Sequence, residues 1–369
     1  MKVKGNYIDG RWVPASSNKP KKVINPSTGQ EIAIIYDSTT EDVKMAIAAA
    51  KKSFYETREW RDMCPQERAD NMYRISEEIS ARKQDIAILD SINNGKPLRE
   101  SECDVDDAIQ CFRYYAGLIT KPSGSVYNVN KGFGEMHTYT VHEPIGVCAQ
   151  ITPWNYPFLM AAWKIAPALA AGNSIVFKPS SNTPLSSVVL FEIFDSLNLP
   201  KGTANLVLGS GGIAGQEMAE NYDVDMISFT GSTSVGQTIA QAAIGNLKKV
   251  GLELGGKSPN IIFGDAGLEA AVEWAMVGIF FNQGEVCSAG SRIIIERSFK
   301  DQFVKRLTER ANAMTIGDPL ANPDMGPLVS EEHMNAVLKY IEIGKQEGAK
   351  CVCGGERYME GWIAARVTL

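Results

Sequence analysis

Few residues of this sequence are suited to covalent chemistry, and Cys287 is the most conspicuous of them. It sits in Asn282-Gln283-Gly284-Glu285-Val286-Cys287-Ser288-Ala289-Gly290, a polar turn flanked by glycines, whereas a packing cysteine ordinarily has apolar neighbours. A locally stabilised thiolate is a strong nucleophile that needs no histidine. That matters because the chain holds only three histidines, His137, His142 and His333, which leaves little for histidine metal sites or histidine-activated nucleophiles. Acid–base work then falls to carboxylates. Glu253, in Gly251-Leu252-Glu253-Leu254-Gly255-Gly256, lies between leucines, where burial would make it a stronger base; a strand carboxylate facing water is the simpler alternative. Asn155, in Thr152-Pro153-Trp154-Asn155-Tyr156-Pro157, offers an amide able to donate to an oxyanion, or simply to shape a turn. Lys178, before Pro179, ends a strand either as a ligand contact or as a solvated lysine.

The other cysteines invite blander readings. Cys64, Cys103, Cys111 and Cys148 lie in helical or strand patterns and are expected to pack, and Cys351-x-Cys353 lacks the companion ligands of a zinc site. Seven cysteines without framework spacing imply reduced thiols.

Two glycine-rich loops follow expected strands. The first, G-S-G-G-I-A-G at 209–215, has one residue too many for a dinucleotide fingerprint and no acidic residue about twenty positions on. The second, F-T-G-S-T-S-V-G at 229–236, places Gly231, Ser232 and Gly236 where a strand turns into a helix, so free N–H groups and the helix dipole could hold a pyrophosphate. A tight strand–helix turn accounts for either loop alone. Two at consecutive strand ends favour a nucleotide.

The elements that position these residues follow from periodicity. Thr39 and Asp42 open an amphipathic helix carrying Val43, Ala46, Ile47, Ala50 and Phe54, and a second begins after Pro65 with Met72, Ile75 and Ile79 on one stripe. Asn94-Gly95-Lys96-Pro97 is a turn, and helical spacing resumes over 107–118, so the first section is expected to be mostly helical. Residues 123–143 alternate as an extended arm or hairpin. From 144 onward, strands at 145–151, 174–177, 204–208, 226–229 and 250–254 alternate with helices at 158–171, 184–197, 212–221 and 234–245. That rhythm specifies a parallel sheet covered by helices on both faces, with ligands at the carboxyl ends of its strands. A second α/β set, with strands at 260–263 and 292–296 and helices at 268–281, 299–314 and 331–347, begins after a border near Gly255-Gly256.

Composition sets the outer bounds. A length of 369 residues suggests two or three domains, and 44% hydrophobic with 22% charged residues is ordinary globular usage. A net charge of −6 argues against a nucleic-acid binder. The start, MKVKGNYIDGRW, has no apolar leader and no apolar run is long enough to span a bilayer, so no membrane association and a cytoplasmic location are expected.

Together these motifs resemble the NAD(P)-dependent aldehyde dehydrogenase superfamily, in order over nearly the whole chain. The resemblance is carried by I-D-G-x-W at 8–12, I-N-P-S-T-G at 24–29, N-G-K-P at 94–97, T-P-W-N-Y-P at 152–157, P-A-L-A-A-G-N at 167–173 and F-K-P-S at 177–180. It continues through F-T-G-S-T-x-V-G at 229–236, L-E-L-G-G-K-S-P at 252–259 and N-Q-G-x-V-C at 282–287. It implies a Rossmann-type cofactor domain over 1–122 and 144–254, a β-hairpin oligomerisation arm over 123–143, and an α/β catalytic domain from 255 to 369. It further implies that Cys287 attacks the aldehyde carbonyl, that the Asn155 amide and the Cys287 N–H hold the oxyanion, and that Glu253 activates the water that hydrolyses the thioester. Lys178 and Ser181 would face the adenosine ribose, Gly231 and Ser232 the pyrophosphate, with Trp154 and Gly255 completing the cofactor contacts. Members strict for NAD often carry Glu where Ser181 stands, so NAD with tolerance of NADP is expected.

Tyr156, Trp163 and Phe281 match tunnel positions that, in betaine aldehyde dehydrogenases, surround a trimethylammonium group with aromatic faces. The same aromatics could line any aldehyde tunnel, so aminoaldehyde, semialdehyde or aliphatic substrates, or an inactive product, are the alternatives. The family is usually homo-oligomeric and continues after G-G-E-R-Y-M-E-G at 354–361 to an E-x-F-G-P segment, whereas this sequence ends W-I-A-A-R-V-T-L. The resemblance therefore leads to the expectation of a catalytic domain incomplete at its C-terminus, with little dehydrogenase activity from the chain alone.

Overall fold

The computed structural model of the chain describes residues 3–127, 129, 134, 136–358 and 364–365, and for the last two only the backbone. It opens not on helices but on strands. β1 (Asn6–Ile8) and β2 (Arg11–Val13) form an antiparallel hairpin. Asp9 and Gly10 turn it with φ of 53° and 74°, the double left-handed conformation for which an Asp-Gly pair is suited. β3 (Pro20–Ile24) and β4 (Glu31–Tyr36) make a second antiparallel ribbon. These short strands precede the helices that make up most of the first section, as expected; the strands themselves were missed, although the Asp-Gly pair between Ile8 and Trp12 was a signal for the first hairpin.

α1 (Thr40–Lys52) starts at the expected capping box, with the Thr39 hydroxyl accepting from the Asp42 N–H and the Asp42 carboxylate from the Thr39 N–H. Its stripe Val43, Ala46, Ile47 and Ala50 is buried. α2 (Pro65–Ala81), α3 (Lys83–Asn94) and α4 (Leu98–Leu118) follow. Gly95 ends α3 at φ 106°, and a Cβ there would stand 2.5 Å from the Pro327 carbonyl oxygen, so both backbone and space require glycine. β5 (Val126–Tyr127) and β6 (Thr138–Tyr139) pair antiparallel within the expected arm, of which residues 128, 130–133 and 135 lie outside the described residues.

The alternating section then runs β7 (Val147–Ile151), α5 (Pro157–Ala170), β8 (Ser174–Lys178), α6 (Leu185–Ser196), β9 (Ala204–Leu206), α7 (Gln216–Glu220), β10 (Met226–Gly231), α8 (Thr233–Ala243) and β11 (Lys249–Leu254). The strand order is β11-β10-β7-β8-β9-β1-β2, parallel from β11 to β9, with β1 antiparallel at its edge. Both faces are covered, as β8 shows: Ile175 and Phe177 join the core formed with α2, α4, α5 and α6, while Val176 joins the one formed with α1, α7 and α8. Strand order reverses around β7, which opens a crevice at the carboxyl ends of the strands, the location at which such sheets bind ligands. The helix expected over 212–221 is divided, a π-helical turn at Gly211–Gly215 leading into α7, because glycines occupy its first turn.

After residues 255–258, which carry no regular structure, β12 (Pro259–Ile262) begins a separate parallel pair with β13 (Arg292–Ile295). α9 (Leu268–Phe280) and α10 (Arg297–Asn312) pack with them through Ile262, Val272, Phe280, Phe299 and Phe303. α11 (Glu331–Gln346) is capped by Ser330. Of the C-terminal W-I-A-A-R-V-T-L, residues 362–363 and 366–369 lie outside the described residues. Among the described residues no helix is long and apolar enough to cross a membrane, and no group of His, Cys, Asp and Glu is placed to hold a metal ion. Cys148 is buried as expected, but Cys64 and Cys103 are exposed, Cys64 because it precedes the first turn of α2 and Cys103 because it falls on the solvent side of α4 rather than on the packed stripe.

Candidate active site

The carboxyl edge of the sheet gathers Asn155 after β7, Lys178 and Ser181 at and after β8, Ser232 after β10 and Glu253 near the end of β11. The loop carrying Cys287 is fastened to this edge. Asn155 donates from Nδ2 to the Glu285 carbonyl at 2.7 Å, and Asn282 donates from Nδ2 to the Asn155 carbonyl at 2.8 Å. This reciprocal pair ties the end of β7 to the loop two residues before Cys287. An amide nitrogen has two N–H groups, so Asn155 keeps one beyond the Glu285 bond. Cys287 is exposed, and an ideal Cβ on Gly256 would stand 3.6 Å from its carbonyl oxygen, which brings the 255–258 link alongside the same loop.

The loop is held under strain. Asn282 and Gln283 have φ of 47° and 57° and Gly284 has 78°, three left-handed residues in a row. Such conformations cost on the order of 1–3 kcal/mol each for non-glycine residues and persist only where the surroundings over-determine them. Here Glu100 accepts from the Asn282 N–H at 2.8 Å, and the Glu285 carboxylate turns inward to accept from the Val329 N–H at 3.0 Å. Burial pushes the Glu100 carboxyl up to about 7, against its Asn282 bond, and the Glu285 carboxyl up to about 8, against its Val329 bond.

Both carboxyls therefore hold protons more tightly folded than unfolded, where carboxyls titrate near about 4.3. Their contribution to stability is full below that value and is lost as pH rises through about 7 and about 8. The urea midpoint is expected to fall from about pH 5 to about pH 8, and Glu285→Gln to flatten the fall. A variant whose midpoint has the same pH slope as the parent would contradict this.

Glu253 is exposed, so the burial expected from its leucine flanks does not occur: the side chain alternates out of β11, an edge strand. A cation faces it instead. Lys164 of α5 is buried, donates to the Ser228 hydroxyl at 2.8 Å, and is held down to about 8 by burial, with Glu253 opposing that shift. A lone lysine in the otherwise apolar helix Pro157–Ala170 was the sequence signal for it.

The residues around the crevice can accept a dinucleotide. A Cβ at Gly211, Gly212 or Gly255 would meet nothing within 4 Å, so these glycines leave open backbone. Ser232 caps α8, accepting from the Val235 N–H at 3.4 Å, and the first-turn N–H groups of a helix have no intrahelical partner. At Gly231 packing also requires glycine, because a Cβ there would stand 2.5 Å from the Phe229 ring. Lys178 is buried at 3% exposure with Nζ donating to the Pro179 carbonyl at 2.9 Å. The Trp154 ring lies against His333, centroids 4.8 Å apart.

Of the three aromatics expected in one tunnel, Trp163 and Phe281 line separate cavities. Trp163, 54% exposed, lines a cavity of about 540 Å³ with Asp107, Tyr114 and Tyr115. Phe281 lines another of about 540 Å³ with Glu100 and Cys103. Tyr156 has the Lys96 ammonium 4.0 Å from its ring centroid.

With this geometry in hand, comparison with known proteins is decisive for the family. Residues 12–367 match the model of the aldehyde dehydrogenase family. The chain is 47% identical over 352 residues to betaine aldehyde dehydrogenase of Bacillus subtilis, covering 95% of this chain and 71% of that protein. It is 42% identical to human mitochondrial aldehyde dehydrogenase, covering 95% and 68%. A crystal structure of betaine aldehyde dehydrogenase from Staphylococcus aureus in complex with NAD+ superimposes with a TM-score of 0.95 at 40% identity, covering 99% of this chain and 73% of that one. The protein belongs to the aldehyde dehydrogenase family, whose members oxidise aldehydes with NAD(P).

Proposed function

We propose that this site oxidises an aldehyde to its acid through Cys287, and that the substrate is betaine aldehyde, giving glycine betaine. The carrying observation is the reciprocal pair of hydrogen bonds between Asn155 and the Cys287 loop. It supports the reading of Asn155 as the amide donor, since the loop it holds also presents Cys287 to solvent. The Cys287 thiolate adds to the carbonyl carbon, and the remaining Asn155 N–H with the Cys287 N–H holds the oxyanion. Bound NAD(P) supplies the hydride acceptor. Gly211, Gly212 and Gly255 give it open backbone, with Lys178 and Ser181 at the ribose and Gly231, Ser232 and Trp154 along the remaining contacts. Glu253 takes a proton from the water that cleaves the thioester, and its exposure gives that water access.

Betaine aldehyde is favoured by the cavity in which the Asp107 carboxylate stands with Trp163, Tyr114 and Tyr115, since a carboxylate and aromatic faces both attract quaternary ammonium. The Bacillus subtilis and Staphylococcus aureus relatives bear that substrate in their names. We assign Tyr156 and Phe281 to the inner part of the substrate path, because they adjoin Asn155 and Asn282, which are tied together at the Cys287 loop. We assign 1–122 and 144–254 to cofactor binding, 255–369 to catalysis and 123–143 to homo-oligomerisation, the last supported by exposed Val126, Tyr127, Tyr139 and Val141. Seven free cysteines suit a reducing cytoplasm.

Kinetics test the substrate. A kcat/KM about tenfold or more higher for betaine aldehyde than for acetaldehyde, benzaldehyde or a semialdehyde is expected. Equal values would reject the cationic pocket. In a preparation without turnover, the concentration of each aldehyde that shields Cys287 from alkylation gives the same ranking.

A further inference from the structure

The strained turn before Cys287 is gripped from outside by a carboxyl that belongs to no ion pair. Glu100, in the first turn of α4, is 6% exposed and accepts from the Asn282 N–H at 2.8 Å. It also lines the cavity of about 540 Å³ that holds Phe281 and Cys103. The charged groups around it are engaged with others. Lys96, in the turn before α4, is paired with Asp104 at 2.5 Å, and Arg99 donates to the Asn322 carbonyl at 2.8 Å. Across the cavity Arg310 of α10 is paired with Glu273 of α9 at 2.8 Å, and Asp324 accepts from the Thr315 N–H at 2.8 Å. Burial raises the Glu100 carboxyl to about 7, while the Asn282 bond, Lys96 and Arg99 favour its ionised form and Asp104 opposes it.

Linkage works in both directions. A hydrogen bond that favours the ionised carboxyl is itself stronger once the carboxyl is ionised. The left-handed residues Asn282 and Gln283 keep their conformation only while their surroundings hold it, so the turn is gripped firmly by a charged Glu100 and loosely by a neutral one. The grip reaches the nucleophile in two steps: Asn282 donates to the Asn155 carbonyl, and the Asn155 amide donates to Glu285, two residues before Cys287. We propose that Glu100 is a positioning residue for the nucleophile, its carboxylate fixing the Asn282 turn and thereby the placement of Cys287 against the Asn155 amide. The proposal rests on the reading of Cys287 as nucleophile and Asn155 as its oxyanion donor.

The test is the concentration of aldehyde that halves iodoacetamide labelling of Cys287 in the full chain, measured at about pH 5.5 and about pH 8, on either side of the Glu100 titration. It needs no turnover. Glu100→Gln matches the neutral carboxyl in shape and keeps an acceptor oxygen, so variant and parent should agree at the lower pH. At the higher pH the variant should need about fivefold more aldehyde, the difference between a charge-assisted and a neutral hydrogen bond. Benzaldehyde, which carries no charge, should show the same shift as betaine aldehyde, whereas a carboxylate that merely attracted a cationic substrate would affect betaine aldehyde alone. A variant-to-parent ratio equal at both pH values would reduce Glu100 to a structural part and overturn the proposal, as would a shift confined to betaine aldehyde. Absence of protection in the parent at either pH would refute the reading of Cys287 itself, and the proposal with it.

Discussion

Cys287→Ser is expected to lower kcat/KM for aldehyde oxidation by more than about a thousandfold. A serine hydroxyl becomes a nucleophile only beside a base, and the loop offers none: Glu285, two residues earlier, is turned inward to the Val329 N–H. The loop should keep its shape in the variant. The contacts that fix it run from Glu100 to Asn282, from Asn155 to Glu285 and from Asn282 to Asn155, and none uses the Cys287 side chain. Because Cys287 is exposed, its replacement should change stability by no more than about 0.5 kcal/mol. Loss of activity with an unchanged melting temperature would assign the effect to chemistry. Substantial activity in Cys287→Ser would remove the nucleophile from this account.

The largest loss of stability is expected from Lys96→Ala. Lys96 is fully buried and pairs with Asp104 at 2.5 Å, where Asp104 is 6% exposed by side chain. It also stands over the Tyr156 ring and lowers the carboxyls of Asp90, Glu100 and Glu285 against the upward push of burial. Removing it leaves Asp104 buried without its cation among several other carboxyls. Breaking one partner out of a buried pair costs about 3–5 kcal/mol. Urea unfolding at neutral pH should show a loss of that size, shrinking as pH falls and Asp104, whose carboxyl burial holds above its usual range, takes up a proton. Lys96→Met with Asp104→Leu should recover most of it, because the orphaned charge is then absent. A loss under about 1 kcal/mol for Lys96→Ala would show that the cluster repacks or admits water.

Periodicity located nearly every element from 144 to 347 within a few residues, because burial on both faces of a parallel sheet leaves a strong β–α rhythm. It did not show the short N-terminal strands, three to six residues each, of which β1 also pairs with β9 almost 200 residues away. The nucleophile loop was legible in outline: a polar glycine turn around Cys287 did mark an exposed, strained segment. What holds it was not. Glu100 and Lys96 act across long separations in the chain, and locally each looks like an ordinary helix or turn charge. Glu253 shows the opposite failure, since its apolar neighbours suggested burial where the strand lies at a sheet edge.

The central claim is that an aldehyde is bound at Cys287. Peptide-resolved alkylation by iodoacetamide, with and without betaine aldehyde, tests it most directly, because thiohemiacetal formation needs neither cofactor nor turnover. Cys64 and Cys103 are exposed as well and serve as internal controls. The account predicts that the aldehyde slows labelling of Cys287 selectively and leaves the two controls unchanged. Equal labelling of Cys287 with and without aldehyde, or protection of another cysteine in its place, would contradict it.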